Sequence, residues 1–186
     1  MFTDSCSPKT VLVAGAAASA ATTLTVGLAG IAQQGSPWPA LNSVSKMVRG
    51  NHAPWRNELS WKFTGTGALL NTAAVFSWAA IYAVLRGPRT RTDYAKAVTA
   101  GVATSALAYV IDYHVVPDRF TPGFEKRLPE RSLGLIYAAL ALGLAASELA
   151  RPDAPRENET AQTRVPARPL DRLDDFRRTM GVREIR

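Results

Sequence analysis

Long apolar stretches alternate with polar connections along this chain of 186 residues. Each stretch has close to the roughly 20 residues that an α-helix needs to cross the ~30 Å hydrocarbon core of a bilayer. The four stretches lie at about residues 10–32, 66–85, 94–111 and 133–149. The pattern therefore predicts an all-α, polytopic membrane protein. We expect a bundle of four transmembrane helices within residues 1–150 and a tail over residues 151–186.

The first stretch must be compared with a secretory signal peptide. Residues 1–9 carry one acid and one base, and the apolar run that follows has about 22 residues. The hydrophobic region of a signal peptide usually has about 7–15 residues. We therefore expect an uncleaved transmembrane helix.

The connection between the first two stretches, residues 33–65, has helical periodicity. Apolar side chains recur there every three or four residues, at Trp38, Leu41, Val44 and Val48. Lys46 and Arg49 lie off that stripe. Such an amphipathic pattern is typical of a helix that lies in the headgroup region of a membrane. The sequence predicts an interfacial helix here, with nearby tryptophans as interfacial anchors.

Small residues recur at helical spacing in the apolar stretches. Small side chains allow helix backbones to approach closely in lipid. The positions concerned are Gly15, Ser19, Thr23 and Gly27 in the first stretch and Gly101 and Ser105 in the third. We expect these stripes to pack against neighbouring helices, and a homodimer seam is the alternative for the first. The short connection 117–131 predicts that the third and fourth helices are antiparallel neighbours.

The net charge of +7 bears on membrane topology. Four spans place both termini on one side, with fourteen basic residues there and eight on the other. The positive-inside rule then favours cytoplasmic termini. Counting the tail only to Arg168 reduces the contrast to nine against eight.

No motif supports nucleic-acid binding, so the expected surroundings are the lipid bilayer and a membrane-protein partner or a homo-oligomer.

The tail over residues 151–186 contains nine arginines and four prolines. Residues 152–169 have the composition of a disordered segment. Leu170, Leu173 and Phe176 recur every three residues, which indicates a short helix at about 170–180. Cys6 is the single cysteine, so no intrachain disulfide can form.

The densest group of polar side chains follows the third stretch. An ionisable residue at the end of a membrane helix is a candidate functional residue. The candidates are Asp112, His114, Asp118, Arg119 and Glu125, together with His52 and Asn71 from earlier in the chain. One interpretation is an interfacial knot of ion pairs, with Asp112 paired to Arg119 or Arg127. A second interpretation is an enzyme or metal site. For Asn71, the expected role is an interhelical hydrogen bond.

Recognisable catalytic motifs are missing from the sequence. It has no HExxH, no phosphate-binding glycine loop and no GxSxG, and only two histidines. No catalytic residue, metal or cofactor is therefore predicted. The acids lie at helix ends and not in mid-span, which argues against a simple transporter. We expect a structural, accessory or interaction protein. A small transporter or oligomeric pore is the alternative, and an enzyme that uses residues 112–125 is a second alternative.

Several segments are similar to small bacterial inner-membrane proteins that have four spans and no assigned activity. They are Asp112–Glu125, Ser132–Leu133, Leu41–Asn42 and Ser60–Thr64, within about residues 38–149. The resemblance implies a bacterial inner-membrane location and a four-span architecture. It implies no site residue.

Overall fold

The described part of the chain, residues 8–87 and 93–149 of a computed structural model, is all-helical. The predicted tail over residues 151–186, its helix at 170–180 and Cys6 lie outside these residues. Six α-helices occur within the two ranges. They are α1 (Pro8–Gln34), α2 (Trp38–Val44), α3 (Lys46–Arg49), α4 (Thr66–Arg86), α5 (Tyr94–Val110) and α6 (Glu130–Ala146).

Three helical segments of the described ranges are long and apolar enough to cross a membrane. They are Pro8–Gln34, Trp61–Arg86 and Tyr94–Val115. The second and third include single π-helical turns, Trp61–Gly65 before α4 and Ile111–Val115 after α5. These segments confirm three of the four predicted apolar helices. The fourth predicted stretch forms α6, which has 17 residues.

Local signals in the sequence set the ends of these helices. Asp93 caps α5, because its Oδ1 accepts a hydrogen bond from the backbone N–H of Lys96 at 2.9 Å. Gly87 ends α4 with φ 68°, a conformation that favours glycine, and its N–H bonds to the carbonyl oxygen of Ala83 at 3.2 Å. The polar segment after Gly87 therefore begins directly at the helix end.

The four long helices form an antiparallel bundle. Helix α1 packs against α4 and α6, and α5 packs against α6 and α4. The predicted antiparallel contact between α5 and α6 is present. Gly101 lies against Ala141, and the Ser105 hydroxyl donates a hydrogen bond to the carbonyl oxygen of Tyr137.

The buried face of α1 differs from the predicted stripe by one residue. Gly15 is buried against the ring of Phe76, but Ser19, Thr23 and Gly27 are only half-buried. The fully buried positions of the same four-residue period are Ala14, Ala18, Thr22, Val26 and Gly30. The physical reason is that α1 contacts two helices, α4 and α6, so its buried face is centred between them.

Helices approach each other most closely where one of them carries glycine. A Cβ atom added to Gly101 would lie 2.6 Å from the carbonyl oxygen of Ala141. A Cβ atom on Gly143 would lie 2.5 Å from the Cα atom of Ala18. Real Cβ atoms do not approach backbone so closely, so glycine is required at both positions. These contacts join α6 to α5 and to α1.

The first part of the first connection, α2, is buried by other parts of the protein. Residues 39–44 of α2 are all buried, and Lys46 is 1% exposed, although the sequence predicts that Lys46 faces away from the apolar side. The interfacial-helix prediction is therefore wrong for α2. The reason is that α2 is covered on several sides, by α1, by α4 and by the helical turns Ala53–Trp55 and Phe124–Lys126.

We call residues 38–49 and 118–128 together the cap, because they close one end of the bundle. Its apolar interior joins Val44 of α2 to Phe124 and Leu128 of the later connection and to Ile136 of α6. Gly123 has φ 83°, and an added Cβ atom would lie 2.7 Å from the carbonyl oxygen of Ser43. Only glycine allows the chain to turn this close to α2.

The glycine contacts predict different tolerance at two positions of α6. Gly143→Ala should destabilise the bundle by about 1–3 kcal/mol, because the added methyl group overlaps the backbone of α1. Gly134→Ala is the matched control, since nothing lies within 4 Å of its added Cβ atom. Thermal unfolding in mild detergent should show a lower midpoint for Gly143→Ala alone. Equal midpoints for the two variants would contradict the α1–α6 contact.

Candidate functional site

The polar side chains that the sequence suggested as one cluster are divided among several places. The His52 ring packs edge-on against Phe63, with the ring centroids 5.8 Å apart. His114 is exposed and contacts the ring of Tyr109, and Arg119 is also exposed. Asp118 has a side chain that is 86% exposed and lies 3.9 Å from Lys126 Nζ. Within residues 8–87 and 93–149, no three His, Cys, Asp or Glu side chains are placed to hold a metal ion.

A buried ammonium group connects the two halves of the cap. Lys46 Nζ donates a hydrogen bond to Thr121 Oγ1 at 2.6 Å and lies 3.2 Å from Glu125 Oε1. The Lys46 side chain is 1% exposed and that of Glu125 is 28% exposed. Glu125 therefore takes its partner from outside its own connection. Its partner lies in the first connection, 79 residues away.

A second buried polar contact holds the chain between the cap and α4. Asn42 Nδ2 donates to the carbonyl oxygens of Arg56 and Glu58, each at 3.0 Å. Thr64 Oγ1 donates to Asn42 Oδ1 at 2.6 Å. Asn42 is fully buried, so these bonds satisfy its amide and fix the irregular segment that leads to α4.

Arg127 anchors the later connection to the earlier one. Its Nε donates to the carbonyl oxygen of Pro54, its Nη2 donates to Asn57 Oδ1 at 2.9 Å, and its guanidinium lies 5.1 Å from the ring centroid of Trp55. Partial burial lowers the pKa of Arg127 from its usual value by desolvation. The expected pairing of Asp112 with Arg127 or Arg119 is not found, because Arg127 is directed to the first connection.

Asp112 instead binds α6 within the bundle. It lies in the π-helical turn Ile111–Val115, where the Val116 N–H bonds to the carbonyl oxygen of Ile111 at 3.0 Å. The Tyr137 hydroxyl donates to Asp112 Oδ2 at 2.6 Å. The rings of Tyr109 and Tyr137 meet edge to face, with centroids 5.3 Å apart. Single π-helical turns are frequent at functional sites, and this one turns Asp112 toward α6.

Asp112 also lines a cavity of about 250 Å³ beneath the cap. The cavity lies among α1, α4, α6 and the cap, and its walls are mainly apolar and aromatic. Its lining includes Thr22, Met47, Leu70, Asn71, Val75, Trp78, Asp112, Phe120, Phe124, Ile136 and Tyr137. The structure therefore brings together two of the predicted residues, Asn71 and Asp112. It does so with Tyr137 and the aromatic side chains, which the sequence did not single out.

Asn71 does not make the interhelical hydrogen bond that the sequence predicted. The residue is 8% exposed, and in the described part of the chain its Nδ2 meets no acceptor. A buried donor without a partner costs about 1–3 kcal/mol. Asn71 is a wall residue of the cavity, so an unused buried donor belongs to the cavity wall.

A buried ion pair lies at the opposite end of the bundle. Arg86 Nε of α4 lies 3.3 Å from Glu148 Oε1, just after α6, and the two side chains are 4% and 1% exposed. Arg86 Nη2 donates to Glu148 Oε2 at 3.4 Å. The sequence alone does not reveal this pairing.

No family model, no curated protein and no solved structure matches this chain. The functional interpretation therefore depends on the geometry of its own residues.

Removal of Glu125 should destabilise the cap. In Glu125→Ala, the Lys46 ammonium stays buried with Thr121 as its remaining partner, so we expect a loss of about 2–3 kcal/mol of unfolding free energy. Asp118→Ala removes the exposed acid of the same connection and should change stability little. The double variant Lys46→Met/Glu125→Ala should recover part of the loss, since no buried charge remains. Thermal unfolding in detergent measures all three. Similar losses for Glu125→Ala and Asp118→Ala would contradict the role of the buried pair.

Proposed function

We propose that this is a four-span protein of the bacterial inner membrane that acts by contact, as a structural or accessory component. The observation that carries the proposal is the use of its buried charges. Lys46 is paired with Glu125, and Arg86 is paired with Glu148. Each pair ties separate segments of the bundle to each other. Charges within membrane proteins that move ions or substrates usually line a pathway instead.

The outer surface of the bundle supports the same proposal. Large apolar side chains are exposed on several helices, and an apolar surface of this extent needs lipid or another protein. Examples are Leu24 and Leu28 of α1, Leu69 of α4, and Leu135 and Leu142 of α6, which are 60–70% exposed. A bundle with such a surface is suited to be a subunit that packs against other subunits of a larger membrane assembly.

The length and position of α6 support a fourth span. Its 17 residues extend for about 25 Å at 1.5 Å per residue, close to the ~30 Å hydrocarbon core. The helix packs against two of the apolar helices, α1 and α5. An even number of spans places both termini on one side, which we assign to the cytoplasm from the distribution of basic residues.

A small transporter or oligomeric pore is the second candidate function, and the cavity between the helices favours it. Asn71 and Asp112 both line this cavity. A hydrated path across the membrane would also need the hydroxyl group of Ser105, but this group donates to the carbonyl oxygen of Tyr137 at the contact between α5 and α6. The polar groups therefore do not form one continuous line, and we prefer the contact function.

Cysteine labelling in a Cys6→Ala background tests the four-span topology. Asn57→Cys and Asp118→Cys should react with a membrane-impermeant thiol reagent applied to the periplasmic side. Asp93→Cys and Leu149→Cys should react only after the membrane is opened. Leu149 directly follows α6, so its labelling from the periplasmic side would mean that α6 does not span.

Isolation of the protein tests the contact function. After extraction in nanodiscs, we expect native mass spectrometry to detect a second membrane protein in fixed stoichiometry with this chain. Glu125→Ala should weaken its capture, and Asp118→Ala should not. A homo-oligomer without a partner that supports ion or solute flux in liposomes would contradict the accessory function and favour the pore.

A further inference from the structure

The cavity beneath the cap has the size of a small-molecule site. An apolar protein cavity of about 150 Å³ accommodates benzene. At about 250 Å³, this cavity has room for one ring with a short chain, roughly ten non-hydrogen atoms. Trp78, Phe120 and Phe124 are among its wall residues, so flat and apolar groups would pack well there.

The charge around the cavity restricts what can bind. Asp112 is an acid in the wall, and no Lys, Arg or His of residues 8–87 and 93–149 lines the cavity. An anionic lipophile, such as a carboxylate, would be placed near a like charge with no cation to neutralise it. A neutral ligand avoids this cost.

Two polar side chains of the cavity wall have hydrogen-bonding capacity that the described part of the chain does not use. Asn71 Nδ2 is a buried donor that meets no acceptor in the described part of the chain. Asp112 Oδ2 accepts a hydrogen bond from Tyr137, but a carboxyl group has about four lone-pair sites and can accept more. A hydroxyl group complements both, since it accepts one hydrogen bond and donates another. A cation would leave the Asn71 donor unpaired.

We propose that this cavity binds a small neutral lipophile that carries a hydroxyl group, an alcohol or a phenol. Its oxygen accepts from Asn71, its hydroxyl hydrogen is donated to Asp112, and its apolar body lies against the aromatic walls. Two of the wall residues also reach the outer surface of the bundle. Ala74 is exposed on α4, and Phe120 is 54% exposed.

A series of matched probes tests the proposal on the unmodified protein. The full chain in phosphatidylcholine nanodiscs is titrated calorimetrically with 4-propylphenol, 4-propyltoluene, 4-propylanisole and 4-propylbenzoate, and empty nanodiscs are subtracted. The phenol should bind at least about tenfold more tightly than the toluene of equal size, because it makes both hydrogen bonds. The anisole, which only accepts, should be intermediate, and the benzoate should not bind. Equal affinity for phenol and toluene, equal affinity for phenol and anisole, or no saturable binding would overturn the proposal.

A variant identifies the cavity as the place of binding. Asn71→Leu removes the donor and keeps the branched shape and the number of non-hydrogen atoms of the side chain, so phenol affinity should fall about tenfold while toluene affinity stays within twofold. Ser77→Ala is the control on the same helix. Its hydroxyl is exposed and bonds to the carbonyl oxygen of Ala73, outside the cavity, so phenol affinity should not change. Unchanged phenol affinity in a folded Asn71→Leu protein would overturn this assignment.

Discussion

The buried ammonium group of Lys46 is the constraint that organises one end of this protein. A charged group removed from water needs a partner and hydrogen bonds, or its burial is strongly unfavourable. Thr121 and Glu125 supply both, and they belong to a connection that follows α5. The interaction therefore joins two connections that are far apart in sequence. Because they are joined, the bundle end is closed and a cavity remains beneath it.

The bundle below the cap depends on a different kind of contact. In the membrane location that we propose, lipid tails are as apolar as the helices, so close packing has to replace the hydrophobic effect. Gly101 and Gly143 supply that packing by allowing α6 to approach α5 and α1. At the far end, Arg86 and Glu148 fix α4 to the residues after α6. Packing along the helices and an ion pair at each end together define one arrangement of the four.

The apolar helices and their antiparallel order could be predicted from the sequence, because length, apolarity and short connections are local properties. The environment of α2 could not. A stripe such as Trp38, Leu41 and Val44 has the same period on a helix at the membrane surface and on one covered by protein. The pairing of Lys46 with Glu125 was missed for a related reason, since its two members lie in separate connections. The face of α1 was misplaced by one residue because the stripe of small side chains does not reveal that two helices contact it.

The candidate site was also only partly predictable. Asn71 and Asp112 could be selected individually, because polar residues in or beside apolar helices are costly and stand out. Their convergence with Tyr137 on one cavity depends on the π-helical turn after α5 and on the position of the cap. Neither has a clear signature in the sequence. The residues can thus be named from local chemistry, whereas the space between them is a property of the folded chain.

Hydrogen–deuterium exchange of the full chain in nanodiscs tests most directly whether residues 38–49 and 118–128 form a buried cap. Backbone amides of α2 should exchange as slowly as those in the middle of α1 and α4. Glu125→Ala should accelerate exchange in both parts of the cap at once. Fast exchange of α2 in the unmodified protein, as expected for a helix lying free at the membrane surface, would contradict the buried cap.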